Sequence, residues 1–252
     1  MMEMHSADRP SSLPARADIF VTTRWTVVLS AGRKSSPQSD RALGELCQTY
    51  WYPLYAYIRR QGHSREDAED LVQGFFSRFL ERNYLEGLSA ERGKFRGFLL
   101  ASVKHFLANE WDRANRQKRG GGIEHLSLDW HGADERYHLE PPDTASPDRV
   151  FDRQWALALL ERVIARLREE CVAEKKEALF EQSKSWLMVG ESAIPYARAA
   201  QALGLDEGAV RVAVHRLRKR YRQLLREEIA QTLTDPAQVD EELRSLQAAL
   251  ST

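Results

Sequence analysis

Apolar residues recur at intervals of three and four positions through most of this chain, and that spacing constrains its fold more than any other feature. The pattern runs from Leu43 to Ile58, from Ala68 to Leu80, from Phe95 to Leu107 and from Phe151 to Leu167. Residues at these intervals lie on one side of an α-helix, whereas a half-buried strand alternates polar and apolar positions. Almost no segment shows such alternation. The sequence therefore predicts an all-α fold.

The stretch Phe95–Arg119 combines two patterns in one predicted helix. Its first half carries apolar positions, and Trp111 continues their spacing. Its second half carries amides and bases, among them Asn109, Arg113 and Arg116. Cations and aromatic faces suit a surface that contacts a phosphate backbone and stacks on unpaired bases. A core helix with a solvated basic end would have the same composition, so the stretch alone favours neither interpretation.

The composition is that of a globular protein with a highly charged surface. Of the 252 residues, 42% are hydrophobic and 29% are charged. No run of residues approaches the roughly 18 apolar positions of a membrane span. Residues 1–18 lack the apolar core of a signal peptide, so we expect a disordered arm there. Cys47 and Cys171 form no metal-type pair and are expected to be buried thiols of a cytoplasmic protein.

The formal net charge of zero conceals two strongly basic segments. Lys94–Arg119 holds seven bases and two acids, a net charge of +5, and Ala209–Arg226 holds seven bases and no acid, a net charge of +7. The rest of the chain must then carry a net charge of −12. Two basic segments on two predicted helices form the local footprint of a nucleic-acid-binding protein, whatever the overall charge.

Acidic residues are concentrated at the start of the second predicted helix. Ser64 and Asp67 fit a capping box, in which the hydroxyl accepts a hydrogen bond from a free backbone N–H and the carboxylate reaches back. The polar face of this helix consists of Glu66, Asp67, Glu69, Asp70 and Gln73. Acids in a first turn stabilise a helix through its dipole, but they would also suit the docking of a basic partner. On these residues alone, helix stabilisation is the favoured interpretation and docking is the alternative.

The segment after Pro195 has the pattern of a helix-turn-helix unit. Its first helix is predicted over Tyr196–Leu203, Gly204 can adopt the left-handed conformation of the turn, and Asp206 can cap the second helix. The outward positions of the second helix are Arg211, His215, Arg216, Arg218, Lys219 and Arg222. Such a helix can enter the major groove while its bases meet phosphates on either side. Ordinary helical hairpins have similar spacing, but the basic residues favour a DNA-reading unit.

Taken in order, two sets of motifs resemble bacterial RNA polymerase sigma factors of the small extracytoplasmic-function (ECF) group. The first set, YWYPLYAYIRR, DAEDLVQGFF and FRGFLLASVKHFLANEWDRANRQKR, is similar to the promoter-melting domain of that family. The second, YARAAQALGLDEGAVRVAVHRLRKRYRQLL, is similar to its C-terminal helix-turn-helix domain. The resemblance implies two small helical domains, a sigma region 2 bundle at residues 19–120 and a sigma region 4 unit at residues 149–252, joined by a flexible acidic linker at residues 121–148.

The resemblance also implies a role for each matching position. One helix would dock on the clamp of core RNA polymerase through Asp67, Glu69, Asp70, Leu71, Val72 and Gln73. A second helix and the loop after it would open and bind the minus-ten promoter element through Lys104, His105, Asn109, Trp111, Arg113, Arg116, Lys118 and Arg119. The helix-turn-helix would read the minus-thirty-five element through Arg211, His215, Arg216, Arg218, Lys219 and Arg222.

The partners implied are core RNA polymerase and promoter DNA, with no catalytic residue, no cofactor, no metal and no membrane. Regulation would come from an anti-sigma factor or from the chain's own C-terminal extension, residues 234–252. This extension carries Asp235, Asp240, Glu241 and Glu242. It could cover the basic helix, bind a regulator or pack as an additional helix, and we expect it to pack.

Two other functions are compatible with parts of the sequence. A helix-turn-helix regulator without a polymerase role would form a stable dimer on palindromic sites. A metal-dependent hydrolase would need clustered ligands, and the linker does hold His125, His131 and His138. However, no two histidines stand four residues apart beside a carboxylate, and Gly120–Gly122 lacks the Lys-Ser/Thr partner of a phosphate-binding loop. The sequence therefore argues against an enzyme.

Overall fold

Helices account for nearly all of the chain that the structure describes. The computed structural model describes residues 37–80, 94–114, 132–139, 146–187 and 195–251. No strand occurs within these five ranges, where β-type pairing is limited to an isolated antiparallel bridge between Lys94 and Leu233. The prediction of an all-α fold is confirmed.

The described ranges contain nine α-helices. In chain order, α1 to α5 are Pro37–Arg60, Arg65–Leu80, Phe95–Ala114, Ala133–Leu139 and Pro147–Ala173. The remaining four, α6 to α9, are Glu177–Ser183, Tyr196–Leu203, Glu207–Ala230 and Val239–Leu250. Single 3₁₀ turns at Lys184–Trp186 and Pro236–Gln238 follow α6 and precede α9. Among these helices, none is both long enough and apolar enough to cross a membrane.

The first helix, α1, begins before the predicted apolar stripe and continues through Pro53. A proline removes one backbone donor and is expected to kink or interrupt a helix, but helical structure extends on both sides of this residue as far as Arg60. Gly62 closes the turn that ends the helix. Its φ of 93° lies in the left-handed region that glycine adopts without a steric penalty, and its N–H donates to the Arg59 carbonyl at 3.0 Å.

Aromatic side chains hold α2 against α3. Phe75 of α2 lies edge-on to Phe106 of α3, with ring centroids 5.6 Å apart. Phe79 contacts Phe95 and Phe98 at centroid distances of 6.4 and 5.8 Å, and all five rings are buried. Each such pair contributes about 0.5–1.5 kcal/mol beyond the burial of its area. The apolar half of Phe95–Arg119 therefore fixes α3 in the core, as its spacing predicts.

The long helix α5 packs against α1, α8 and α9. Its predicted apolar stripe is buried throughout, at Phe151, Trp155, Leu159, Val163 and Leu167. The Tyr50 ring of α1 lies 6.4 Å from the ring of Phe151. Ser146 caps α5 by accepting the N–H of Arg149, with Pro147 in the first turn. A serine cap followed by a proline in the first turn is a typical helix N-terminus.

One hydrophobic core joins the two predicted domains. A continuous cluster of buried side chains includes Cys47 and Tyr50 on α1, Phe151 on α5, Leu224 on α8 and Leu246 on α9. Two independent domains would each enclose a core of their own. The predicted architecture, with two domains separated by residues 121–148, is therefore not confirmed.

A helix within the predicted linker is docked on this core. In α4, Ala133 is buried, and Asp134 accepts a hydrogen bond from the Tyr55 hydroxyl at 3.2 Å. Arg59 Nη2 lies 3.1 Å from the same carboxylate. Asp134 thus meets polar groups of α1, a contact that sequence spacing does not reveal. Residues 133–139 of the predicted linker therefore form a helix that contacts α1.

The C-terminal extension packs as an additional helix, as we expect from the sequence. Val239 and Leu246 of α9 are buried, and Glu242 is buried with them. This face of α9 meets α5 and α8. Asp235 orders the preceding turn, because its carboxylate accepts the Ala237 N–H at 2.9 Å. The extension is therefore a structural part of the main core.

Candidate nucleic-acid interface

Helices α7 and α8 form the helix-turn-helix unit that the sequence predicts. Gly204 ends α7 with φ 64° and ψ 32°, a left-handed conformation that costs a residue with a Cβ atom about 1–2 kcal/mol. Asp206 caps α8, since its carboxylate accepts the Ala209 N–H at 2.8 Å. These two residues determine where the first helix stops and where the second begins.

A small core separate from the main one holds this unit together. Its buried members are Trp186, Ala199, Ala200, Val210 and Val214. Tyr196 stacks on Trp186, with ring centroids 4.7 Å apart and ring planes 9° from parallel. Further along α8, Leu217 and Leu224 belong to the main core. The same helix therefore carries the outward basic face and connects the unit to the rest of the molecule.

The predicted DNA-reading residues lie on the exposed face of α8. All six side chains are exposed, at Arg211, His215, Arg216, Arg218, Lys219 and Arg222. Arg211 pairs with Glu207 at 2.5 Å and lies 4.6 Å from the centroid of the Tyr196 ring. Arg218 Nε donates to the Trp186 carbonyl at 3.3 Å. His215, Arg216 and Lys219 make no ion pair within the described ranges, so their polar groups are available to a phosphate backbone.

Two bases of this segment form ion pairs with neighbouring helices and do not belong to the exposed face. Arg220 donates to both carboxylate oxygens of Glu170 on α5, at 2.6 and 2.7 Å. These hydrogen bonds raise the pKa of Arg220 and lower the pKa of Glu170. Arg226 pairs with Asp240 on α9 at 2.6 Å, and this contact lowers the pKa of the Asp240 carboxyl. The charge that α8 offers to DNA is therefore smaller than its sequence indicates.

The C-terminal end of α3 presents the second group of predicted DNA contacts. Lys104, His105 and Asn109 are exposed, and Lys104 Nζ lies 2.6 Å from a carboxylate oxygen of Asp148. Trp111 does not continue the buried stripe, although its spacing predicts that it would, because 69% of its surface is exposed. An exposed indole on a helix end is a suitable surface for stacking an unpaired base.

The other four predicted contacts of this group lie at or beyond the end of α3. Arg113 belongs to the last turn of the helix. Arg116, Lys118 and Arg119 lie outside the described residues. The described structure thus brings Lys104, His105, Asn109 and Trp111 together on one helix.

The predicted polymerase-docking residues of α2 divide into exposed and buried positions. Asp67 and Asp70 are exposed. The partly buried positions are Glu69, Leu71 and Gln73. Glu69 also pairs with Arg65 at 2.9 Å. Val72 is completely buried in the main core, because it belongs to the apolar stripe of the helix, and it has no surface to offer a partner.

The cap at the start of α2 accounts for one of the exposed acids. Ser64 Oγ accepts the Asp67 N–H at 3.1 Å and donates to the Asp67 carboxylate at 2.8 Å. Asp67 therefore has a structural role in the capping box that the sequence predicts. Asp70 makes no ion pair with the described residues, so it is the best candidate for a docking contact.

A charged junction between α3 and α9 was not among the predicted features. Lys94 Nζ lies 2.6 Å from Glu241 and 3.0 Å from Glu242. Arg96 Nε donates to Glu242 at 3.0 Å, and the Arg96 guanidinium also pairs with Asp152 of α5. Only 1% of the Glu242 surface is exposed. These five residues are called the α3–α9 junction below. Arg96 and Glu242 stand 146 positions apart, so helical spacing cannot predict their contact.

The described residues contain no group of three or more histidine, cysteine, aspartate or glutamate side chains that could hold a metal ion. Of the three linker histidines, His138 is exposed on α4 and lies 3.3 Å from Asp134, whereas His125 and His131 lie outside the described residues. Cys47 and Cys171 are free and buried, as predicted, and burial raises the pKa of both thiols.

Comparison with protein-family models, with curated proteins and with solved structures finds no match to this chain. Its function must therefore be inferred from its own residues and their geometry.

Proposed function

We propose that this chain is a sigma factor of the ECF type, which directs core RNA polymerase to specific promoters and helps to open them. The observation that supports this most strongly is the helix-turn-helix unit. Gly204 and Asp206 set its turn, a small core of its own holds its helices, and basic side chains cover the outer face of its second helix. This is the arrangement that lets a helix enter the major groove.

The two proposed DNA surfaces would contribute different kinds of free energy. Bases on α8, such as Arg216 and Lys219, would neutralise phosphates and release counterions, so that affinity falls steeply with salt concentration. The end of α3 would act on bases that leave the duplex. Extruding a base costs a few kcal/mol, and stacking on an aromatic side chain such as Trp111 recovers about 1–3 kcal/mol per base. Promoter opening would then need no catalytic group on this chain.

The exposed acids of α2 would supply the contact with polymerase. Asp70 is exposed, and acidic residues can steer and orient a basic partner surface. Because Val72 is buried on the opposite side of the helix, the docking face would be polar. We therefore expect its contribution to the complex to depend on charge and on salt.

A DNA-binding regulator without a polymerase role is the second candidate, and the shared core favours it. The core cluster runs from Cys47 on α1 to Leu246 on α9, so the chain as described is one packed unit and not two modules on a tether. Regulators of this kind commonly bind as dimers to two half-sites about one helical turn apart.

Measurements of mass and binding distinguish the two candidates. For a sigma factor we expect a monomer by light scattering that forms a one-to-one complex with purified bacterial core RNA polymerase. A dimer that protects a palindromic site and does not bind core polymerase would support the regulator and overturn the sigma factor.

A further inference from the structure

One apolar side chain lies in the middle of the basic face of α8. Val212 is 51% exposed, and it belongs to the second turn of the helix, which begins at Glu207. Four large apolar side chains are strongly exposed in the described ranges, and Val212 is the one that lies within α8. It was not among the residues that the sequence predicts to contact DNA.

Helical spacing places Val212 on the side of α8 that points away from the interior. A helix turns by about 100° per residue, so the buried residues Val210, Val214 and Leu217 lie within about 60° of one another around its axis. Val212 follows Val210 by two positions and lies about 200° round from it. This direction is within about 15° of the one opposite the middle of the three buried residues. Val212 is therefore at the centre of the outer face.

The positions around Val212 leave it uncovered. Its neighbours one and two turns further along the helix are exposed and polar, at His215, Arg216 and Lys219. One turn before it stands Gly208, where a Cβ atom would lie 3.0 Å from the Asp206 oxygen that caps α8. Because the cap keeps position 208 without a side chain, nothing projects over the valine from that direction.

The stability of the helix does not account for a valine at this position. A β-branched side chain loses rotational freedom in a helix, so valine is a weaker helix former than alanine. A side chain that stays half-exposed also gains little from burial. Single apolar residues on a surface are common, but Val212 occupies the centre of the face that we propose to enter the major groove.

The major groove offers a matching apolar group, because thymine alone among the four bases presents a C5-methyl group there. We propose that Val212 contacts the methyl group of a thymine in the minus-thirty-five element and gives α8 a preference for thymine at one position. This inference rests on the proposed function, since it requires α8 to lie in the groove. Arg216 and Lys219 would meet phosphates, which carry no sequence information directly, whereas Val212 would read a base.

Deoxyuridine tests this contact, because it pairs with adenine as thymine does and lacks only the methyl group. The full chain, bound to bacterial core RNA polymerase, would first select duplexes from a randomised promoter library. Each thymine of the minus-thirty-five element would then be replaced singly by deoxyuridine, and relative affinities would be measured by competition.

Two variants are compared with the wild type in this assay. Val212→Ala removes the proposed contact, and Val172→Ala is the matched control, since it truncates another exposed valine on α5. Alanine is the stronger helix former, so both variants should keep their helices.

For the wild type we expect deoxyuridine at one position to weaken binding about fourfold, the effect of burying one methyl group. Val172→Ala should show the same loss, whereas Val212→Ala should bind the two duplexes equally. Such coupling is the result that a double-mutant cycle gives for groups in contact. An equal loss in the Val212 variant, or no sensitive position in the wild type, would overturn the contact and leave the proposed function standing.

A second selection keeps the test independent of modified bases. Val212→Ala, bound to core polymerase, would select from the same library. We expect the preference for thymine at the sensitive position to fall while the other positions keep theirs. An unchanged preference would overturn the contact, and so would weaker binding to core polymerase with the same base preferences, which would place Val212 in a protein interface. Failure of the wild-type chain to enrich any sequence would overturn the proposed function, and this inference with it.

Discussion

Asp70 and Val72 stand two positions apart on α2 and have opposite surroundings. The carboxylate is exposed, whereas the valine is completely buried. The same distinction applies to the bases of α8, where Arg220 is committed to Glu170 and Lys219 is exposed. At the scale of the residue, therefore, the best candidates for binding a partner are exposed charged side chains, such as Asp70 and Lys219, that have no ion pair within the described ranges.

Replacing Asp70 with arginine should abolish binding to core polymerase without unfolding the chain. The side chain is exposed and makes no ion pair with described residues, so we expect the free energy of unfolding to change by less than about 0.5 kcal/mol. Glu169→Arg is the matched control, since it reverses an exposed acid on α5. Affinity for immobilised core polymerase and urea unfolding are the measurements. Unchanged affinity in the Asp70 variant would exclude the proposed docking face.

Trp111→Ala should impair promoter opening while leaving stability unchanged. The indole is 69% exposed, so its removal should leave no cavity in the core. Loss of one stacked base should cost about 1–3 kcal/mol, which is roughly a 5- to 150-fold loss of open complexes. Opening can be followed with a fluorescent base analogue placed in the minus-ten element.

Val172→Ala is a suitable control for Trp111→Ala, because it truncates another exposed apolar side chain. We expect it to open promoters like the wild type. Equal opening by the Trp111 variant would remove this residue from the proposed melting surface.

At the scale of the element, the features that could be predicted are those whose cause lies within a few residues. The positive φ of Gly204 and the cap by Asp206 follow from the chemistry of a turn. The apolar stripe of α5 follows from helical spacing. By contrast, the partner of Arg220 is Glu170, 50 positions away, and local patterns contain no information about such a pair.

Removing two bases from the exposed face of α8 should lower the salt dependence of DNA binding. Each phosphate contact contributes about 0.9 to the slope of log K against log salt, so Arg216→Ala with Lys219→Ala should reduce the slope by about 2. Arg168→Ala is the control, because it removes an exposed arginine of α5 that pairs with Glu177 and Glu181. Fluorescence anisotropy over a series of salt concentrations gives the slopes. An unchanged slope in the double variant would move the DNA contact away from this face.

The Arg220–Glu170 pair should stabilise the α5–α8 contact in a pH-dependent way. Its hydrogen bonds hold the pKa of Glu170 below the usual value of 4.5, so the stabilisation is complete above that pH and is lost as the pH falls through the lowered pKa. Both side chains are about one-third exposed, so we expect Glu170→Gln to cost only about 0.5–1 kcal/mol at pH 7.

Urea unfolding at two pH values measures this contribution. The difference between wild type and Glu170→Gln should be present at pH 7 and should shrink as the pH falls below 4.5, through the lowered pKa of Glu170. Glu169→Gln, which changes an exposed neighbour, should show no difference at either pH. A difference for Glu170→Gln that grows with acidification would contradict the assigned pair.

At the scale of the whole molecule, the sequence patterns predicted the helices better than their arrangement. Motifs such as the helix-turn-helix are local, whereas the packing of α1 on α5 depends on surfaces far apart in sequence. The sequence did contain one indication of this packing. Positions 52–58 of α1 are apolar or aromatic apart from Pro53. In the structure all seven are buried. A helix that is apolar on all sides requires partners on all sides, and α2 alone does not provide them.

The α3–α9 junction is likewise a contact between segments that lie far apart in the sequence. Burial of Glu242 is favourable only because Lys94 and Arg96 reach it, and removing one member of a buried ion pair typically costs about 3–5 kcal/mol. The C-terminal extension is thus tied to the start of α3, the helix that bears the proposed melting surface. From the sequence alone, three acids in the first turn of α9 would be typical of a solvated surface helix.

If this chain gives RNA polymerase its promoter specificity, as we propose, run-off transcription will reveal it. Purified chain and purified bacterial core polymerase would be incubated with a library of promoter fragments, and the transcripts sequenced from their 5′ ends. We expect discrete start sites that require the chain, with shared elements near minus ten and minus thirty-five. Transcripts that are the same with and without the chain would contradict the proposal.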